Sequence, residues 1–180
     1  FSIFVISTMF FIIGIFDDRN NLNYKIKFSI FIIIFITSLL IEENLLLKDI
    51  YFETFQKSFQ LEDFSSVILT LLCLLLLINA TNLSDGINGL CIGIGIFWFI
   101  YISLTNFNIL NNFIFVVSIL FLLLIFINIY LGKIFLGNSG SHYLGSFIGL
   151  SIIQNYNTVL YNKNIIEKIS VEEIFLVLMI

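Results

Sequence analysis

Residues 78–90 read INATNLSDGINGL. The sequence on either side is apolar, so Asn79, Asn82, Asp85 and Asn88 interrupt a stretch otherwise suited to lipid. An ionised side chain near a bilayer centre costs about 2.5 to 3.5 kcal/mol on insertion scales, which makes an aspartate flanked by apolar segments a functional candidate by default. On a helix of 3.6 residues per turn, neighbours three apart touch, but each step drifts by about 60°, so these four residues cannot share one face. Gly86 and Gly89 let the backbone break, which would turn a helix end into a polar pocket. The plainer alternative is a helix end whose amides satisfy one another and the loop backbone.

Composition fixes the class. The chain is 59% hydrophobic and 11% charged over 180 residues, with a mean hydropathy of +1.09. Such values lie far outside the soluble average and predict an integral membrane protein. The net charge of -4 is modest and no run of like charges points to a nucleic-acid partner. Cys73 and Cys91 stand in apolar segments and read as packing residues, not as a disulfide or metal pair. The sequence begins at Phe1 and stops at Ile180, each inside an apolar run, so it reads as cut at both ends, with no recognisable signal peptide.

The expected fold is all-α, a polytopic transmembrane helix bundle with about six to seven spans in a single membrane domain. The spans fall near 1–16, 26–41, 64–78, 90–104, 113–131, 143–153 and 173–180, the sixth being the shortest of those seen whole. Several are nearer 15 residues than 20 and must borrow from their flanks or lie in a locally thinned bilayer. Residues 49–63, DIYFETFQKSFQLED, alternate enough for either a short hairpin or an interfacial helix. Gly89 with Gly93, and Gly145 with Gly149, have the small-xxx-small spacing of close helix packing.

Counting crossings places the loops at 17–27, 79–89 and 132–142 on one side, and those at 42–63, 105–112 and 154–172 on the other. Arg19, Lys25, Lys27 and Lys133 fall on the first side, Lys48, Lys57, Lys163 and Lys168 on the second, so basic residues do not orient the chain. Of the twelve acids, only Asp17, Asp18 and Asp85 face the first side. Acids contribute little to topology, so their placement needs another cause.

A divalent cation and phosphate chemistry supply one. The adjacent Asp17 and Asp18 repel unless a cation or proton joins them. Mg²⁺ suits one or two carboxylates with water and substrate phosphates. Arg19, Lys25 and Lys27 add positive charge on the same loop, suited to anionic ligands. The sequence GNSGS at 137–141 offers backbone N–H groups and hydroxyls beside an expected helix start at Ser141, which favours an anion. His142 follows as an expected helix-start residue. The alternative for the Asp pair alone is a solvated turn.

Together, GIFDDRNNLNYKIKF (14–28), NATNLSDGINGL (79–90) and KIFLGNSGSHYLG (133–145) resemble, in order and approximate spacing, the polyprenyl-phosphate N-acetylhexosamine-1-phosphate transferases. That family includes the phospho-MurNAc-pentapeptide and undecaprenyl-phosphate GlcNAc-1-phosphate transferases. The resemblance implies a multi-pass bacterial inner-membrane enzyme with a cytoplasmic site. Its substrates would be a UDP-N-acetylhexosamine and a polyprenyl phosphate lipid, with Mg²⁺ as cofactor and UMP released; a homodimer stays open. By position, Asp17 and Asp18 match paired acids implicated in handling the lipid phosphate and the metal site, and Asp85 joins them as a catalytic candidate. Lys25 and Lys27 match basic residues that meet phosphates. Asn82 and Asp85 match polar residues of the middle motif, Asn88 a uracil contact, and Phe135 an aromatic that stacks on that base. Ser141 is assigned to substrate binding, and Asp18 with Asn138 to the metal.

Two residues depart from the pattern. Asn138 stands where relatives carry a metal-binding Asp, and Asn88 replaces a second Asp. An amide oxygen still binds Mg²⁺, but about 4 kcal/mol of attraction is lost at 4 Å with an effective dielectric of 20. The family's His-containing loop would lie beyond Ile180, so these 180 residues alone should be inactive. The competing class is a catalytically impaired homologue, or a transporter or binding protein, that keeps the fold.

Overall fold

The computed structural model describes residues 2–87, 89–105, 120, 127, 135–161, 170–172 and 174, with side chains described to 102 in the fourth helix. Helix α1 is Ser2–Asn20, α2 Tyr24–Ile41, α3 Asp63–Ser84, α4 Leu90–Thr105 and α5 Gly137–Tyr161. A 3₁₀ turn, Glu43–Leu45, and an antiparallel hairpin of β1 (Asp49–Phe52) and β2 (Lys57–Gln60) join α2 to α3. The expected spans at 113–131 and 173–180 lie essentially outside the described residues, as does their count.

Helices α2 and α3 are long and apolar enough to cross a membrane. At 1.5 Å per residue they run about 27 and 33 Å, against a hydrocarbon core of about 30 Å. Both are longer than their uninterrupted apolar runs because the flanks join them. Helix α3 continues through Asn79 and Asn82 to Ser84, so the polar stretch is mostly the last turns of a helix. Asn79 is exposed and donates back to the Leu75 carbonyl, as a lipid-compatible amide must. The break comes at Asp85–Gly86, and Gly89 takes φ 75° before α4 begins.

Two expectations are corrected here. The short charged loop expected at 17–27 is mostly helical: Asp17 and Asp18 belong to the last turn of α1, and the link to α2 is only residues 21–23. The segment expected to be shortest is α5, the longest described helix at 25 residues, and it begins at Gly137, not Ser141. Sequence hydropathy underestimates α5 because its polar residues point inward. Residues 144–153 are buried without a gap, so the helix is enclosed on every side.

Both α1 and α3 run antiparallel to α5. Gly14 lies against Ser139 and Phe11 against the Tyr143 ring, while Asn82, Ile78 and Leu74 meet Ser141, Gly145 and Gly149 in turn. A Cβ at Gly14 would overlap the backbone of Ser139, and one at Gly145 would overlap Thr81 Oγ1. Gly145 and Gly149 therefore work as packing residues. Phe10, Phe31 and Phe35 close the space between α1 and α2, with ring centroids 5.1 and 4.5 Å apart.

The far end of α5 pins the connection from α2 to α3. Asn157 Nδ2 donates to the carbonyls of Asn44 and Leu46 at 2.7 and 2.9 Å. Tyr156 Oη accepts from Tyr51 N at 2.8 Å and donates to Asp49 O at 3.2 Å. Ser66 and Thr70 of α3 bond the Leu47 backbone. The choice between hairpin and interfacial helix resolves as a hairpin, because alternating residues pair Asp49 with Gln60 and Phe52 with Lys57. Both cysteines are free, Cys91 buried and Cys73 exposed.

Candidate functional site

The start of α5 is where the three polar stretches meet. A helix leaves its first N–H groups without intrahelical partners and presents a partial positive charge there. Asp85, just past α3, accepts from Leu136 N at 3.0 Å and Gly137 N at 2.8 Å. Asp18, on the last turn of α1, accepts from Asn138 N at 2.9 Å and Ser139 N at 3.0 Å. Two carboxylates from different helices thus satisfy the consecutive donors 136–139. The expectation that GNSGS offers free N–H groups to a ligand anion is corrected: the anions at this helix start are the chain's own. Carboxylates held on packed neighbouring helices meet those donors without losing the freedom of a diffusing ligand.

Glycines permit the approach. Gly137 has φ 70°, and a Cβ there would sit 3.1 Å from Asp18 Oδ2. Gly14, one turn before Asp18, lets α1 lie directly on residues 138 and 139. Sequence reading missed this role of Gly14; the signal was its place one turn before an acid pair on an otherwise bulky helix.

Asp17 faces elsewhere, since adjacent helical residues diverge by about 100°. It is buried, accepts from Leu22 N at 2.9 Å and pairs with Lys27 Nζ at 2.8 Å. This residue therefore ties the turn between α1 and α2 and fixes one ammonium beside the site. The repulsion expected between the two acids is relieved by separate partners instead of a shared cation. Partial burial alone would raise the Asp18 carboxyl, which lies beyond the apolar stretch. Hydrogen bonds from Ser139 and Asn138 outweigh that and hold it below its ordinary value of 3.8.

Ser141 Oγ lies 2.8 Å from both Asn82 Oδ1 and the Gly137 carbonyl, and its hydroxyl proton can serve either. Thr81, not singled out from sequence, has its hydroxyl 3.2 Å from the Ser141 carbonyl and completes the seam. Phe135 is 49% exposed immediately before the capped donors. Lys25 is exposed on the first turn of α2, its ammonium over the Tyr24 ring, and bonds no acid among the described residues. Asn88 and Lys133 lie outside the described residues. His142 is not a helix-start residue: it sits in the second turn of α5 and is 1% exposed.

Among the described residues no three His, Cys, Asp or Glu side chains form a metal cage. Asp17, Asp18 and Asp85 each meet protein donors through both oxygens, but Asp17 and Asp85 are buried whereas Asp18 is exposed, so the outer lone pairs of Asp18 and the Asn138 amide oxygen are those a cation could reach. Those are hard oxygen donors at an accessible edge. They fit Mg²⁺, which keeps several waters and uses one or two carboxylates with substrate phosphates, better than a metal needing a closed protein cage.

Comparison with curated proteins and with solved structures gives no match. The family model for glycosyl transferase family 4 matches residues 1–155, which include Asp17, Asp18, Asp85 and the capped start of α5. With the match running through every element that builds this polar end, the chain belongs to glycosyl transferase family 4.

Proposed function

We propose that this protein transfers an N-acetylhexosamine-1-phosphate from a UDP-sugar to a polyprenyl phosphate, such as undecaprenyl phosphate, at the cytoplasmic face of a bacterial inner membrane. The observation that carries this reading is the joining of Asp18 and Asp85 across the start of α5. It gathers three polar stretches at one end of an apolar bundle, as a reaction between a nucleotide and a lipid phosphate requires. An oxygen of the lipid phosphate forms a bond to the β-phosphorus of the UDP-sugar. The bond from that phosphorus to the bridging oxygen breaks, and UMP leaves with the electron pair.

Each residue has a part in this scheme. Lys27, fixed by Asp17, and Lys25, exposed at the start of α2, draw the phosphates by charge. Phe135 offers an exposed ring for the base beside the capped N–H groups. Asn82 and Ser141 hold α3 to α5 so that these groups keep their spacing. Asp85, buried with its oxygens on the backbone donors of residues 136 and 137, positions α5 and does not meet substrate. Asp18 and Asn138 would hold Mg²⁺, which when bound neutralises charge on the transferring phosphoryl group.

The test is UMP release by membranes containing the full-length protein, given a UDP-N-acetylhexosamine and undecaprenyl phosphate. The expected result is Mg²⁺-dependent release that Asp18→Asn and Asp17→Asn each reduce at least about 100-fold, the scale of a lost electrostatic group in an active site. Unchanged activity in both variants would remove the reading. One feature favours a second reading, a fold-retaining protein without turnover: Asn138 in place of an acid. Activity created by Asn138→Asp in an inactive native protein would establish that rival.

A further inference from the structure

His142 is the only histidine in the sequence and is 1% exposed. Neither ring nitrogen has a hydrogen-bond partner among the described residues. Phe31 of α2 meets its ring edge-on at 5.0 Å and 87°. Phe31 is one turn along α2 from Lys27, and His142 is one turn along α5 from Asn138, about 6 Å of rise in each helix. The imidazole therefore lies about one helical turn deeper in the bundle than Lys27 and Asn138, and among the described residues the charged groups whose fields reach it are Lys27, Asp17 and Asp18.

A packing role alone would be met by Phe or Leu without burying polar atoms that lack partners. A neutral imidazole has one donor and one acceptor, and Lys27 keeps N–H groups beyond the one given to Asp17. An internal water with two or more polar partners is the usual way such buried groups are satisfied.

We propose that His142 is a positioning residue: it holds an internal water between its ring and the Asp17–Lys27 pair, fixing where the Lys27 ammonium faces a phosphate. The water stands independently of the transferase reading; its effect on turnover rests on that reading. A buried water of this kind gives His142 a role that neither Phe nor Leu can supply.

The test uses the full-length protein labelled with ring-¹⁵N histidine in lipid nanodiscs, with His142→Gln identifying the signal. The expected spectrum shows a water contact at the ring, and Lys27→Met displaces the ring resonances. Absence of the contact together with resonances unmoved by Lys27→Met overturns the proposal. In the kinetic arm, His142→Phe lowers kcat about tenfold or more, as displaced reacting groups do. KM for the UDP-sugar stays unchanged, and His142→Gln recovers most of the loss. Full activity in His142→Phe, at an equal or higher melting temperature, contradicts the role in turnover. Should His142→Phe fail to fold, His142→Leu takes its place beside Lys27→Met: a loss from His142→Leu that vanishes in the Lys27→Met background supports the proposal, and one that persists in full overturns it. A wild-type protein that releases no UMP removes the transferase reading, and the nitrogen spectra still judge the water.

Discussion

The two ends of α5 satisfy their polar groups in opposite ways. At its start, backbone N–H groups of α5 meet charged carboxylates carried by α1 and α3, in a place open enough to leave Asp18 exposed. At its far end, neutral side chains of α5, Tyr156 and Asn157, meet the backbone of the loop and hairpin in buried surroundings. The first arrangement concentrates charge where a ligand can reach it; the second spends polar groups on holding a connection in place. Both anchor the same helix, so disturbing one end should damage activity and the other mainly stability.

The largest effect should come from forcing α1 away from α5. Gly14→Leu would drive a side chain into the backbone at residues 138 and 139, which cannot yield as a flexible side chain would. We expect a loss of about 3 kcal/mol, at the upper end of the overpacking range, with activity abolished, read as the detergent-solubilised melting temperature and UMP release. Asp85→Ala comes next. It removes one carboxylate from two donors and should cost about 2 to 3 kcal/mol, the scale of hydrogen bonds to a charged group, again with activity lost.

Asn157→Leu sharpens the contrast from the other end. It strips a donor from the Asn44 and Leu46 carbonyls and should lower stability by about 1 to 2 kcal/mol. Activity per folded molecule should stay within about twofold, and a selective loss of turnover would erase the distinction between the ends.

The smallest effect concerns acid. Because the Asp18 carboxyl is held below 3.8, its contribution is fully present above that value and disappears as pH falls through its lower folded-state value. Melting temperature measured downward from neutral pH should therefore show an acid-side decline that is shallower in Asp18→Asn, with no difference in slope at neutral pH. Identical acid slopes would show that the cap at Asn138 and Ser139 does not depend on the charge.

How much of this was readable in the sequence follows from the same contrast. The polar residues of the site stand out because lipid-compatible sequence surrounds them, so Asp17, Asp18 and Asp85 could be named and placed on one side by counting crossings. Their partners could not. The donors at residues 136–139 are backbone groups with no signature of their own, and the anion they hold could as well have been a ligand. Helix α5 was underestimated because its buried Ser146, Ser151, Asn155 and Asn157 dilute the apolar pattern that marks a lipid-facing span. Gly14 looked like any glycine in a membrane helix until its neighbour across the seam was known. The hairpin at 49–60 was half legible, since its alternation fits a strand but is too short to exclude a helix.

The proposed site requires three distant stretches to meet at one membrane surface. Pulsed electron-paramagnetic-resonance distances test it most directly, with spin labels at the exposed positions Arg19, Leu83 and Phe135 in the full-length protein in lipid. All three pairs should fall within about 20 Å, roughly two helix diameters. Separations of about 30 Å or more between Phe135 and either partner, the thickness of the hydrocarbon core, would put the motifs on opposite leaflets and contradict it.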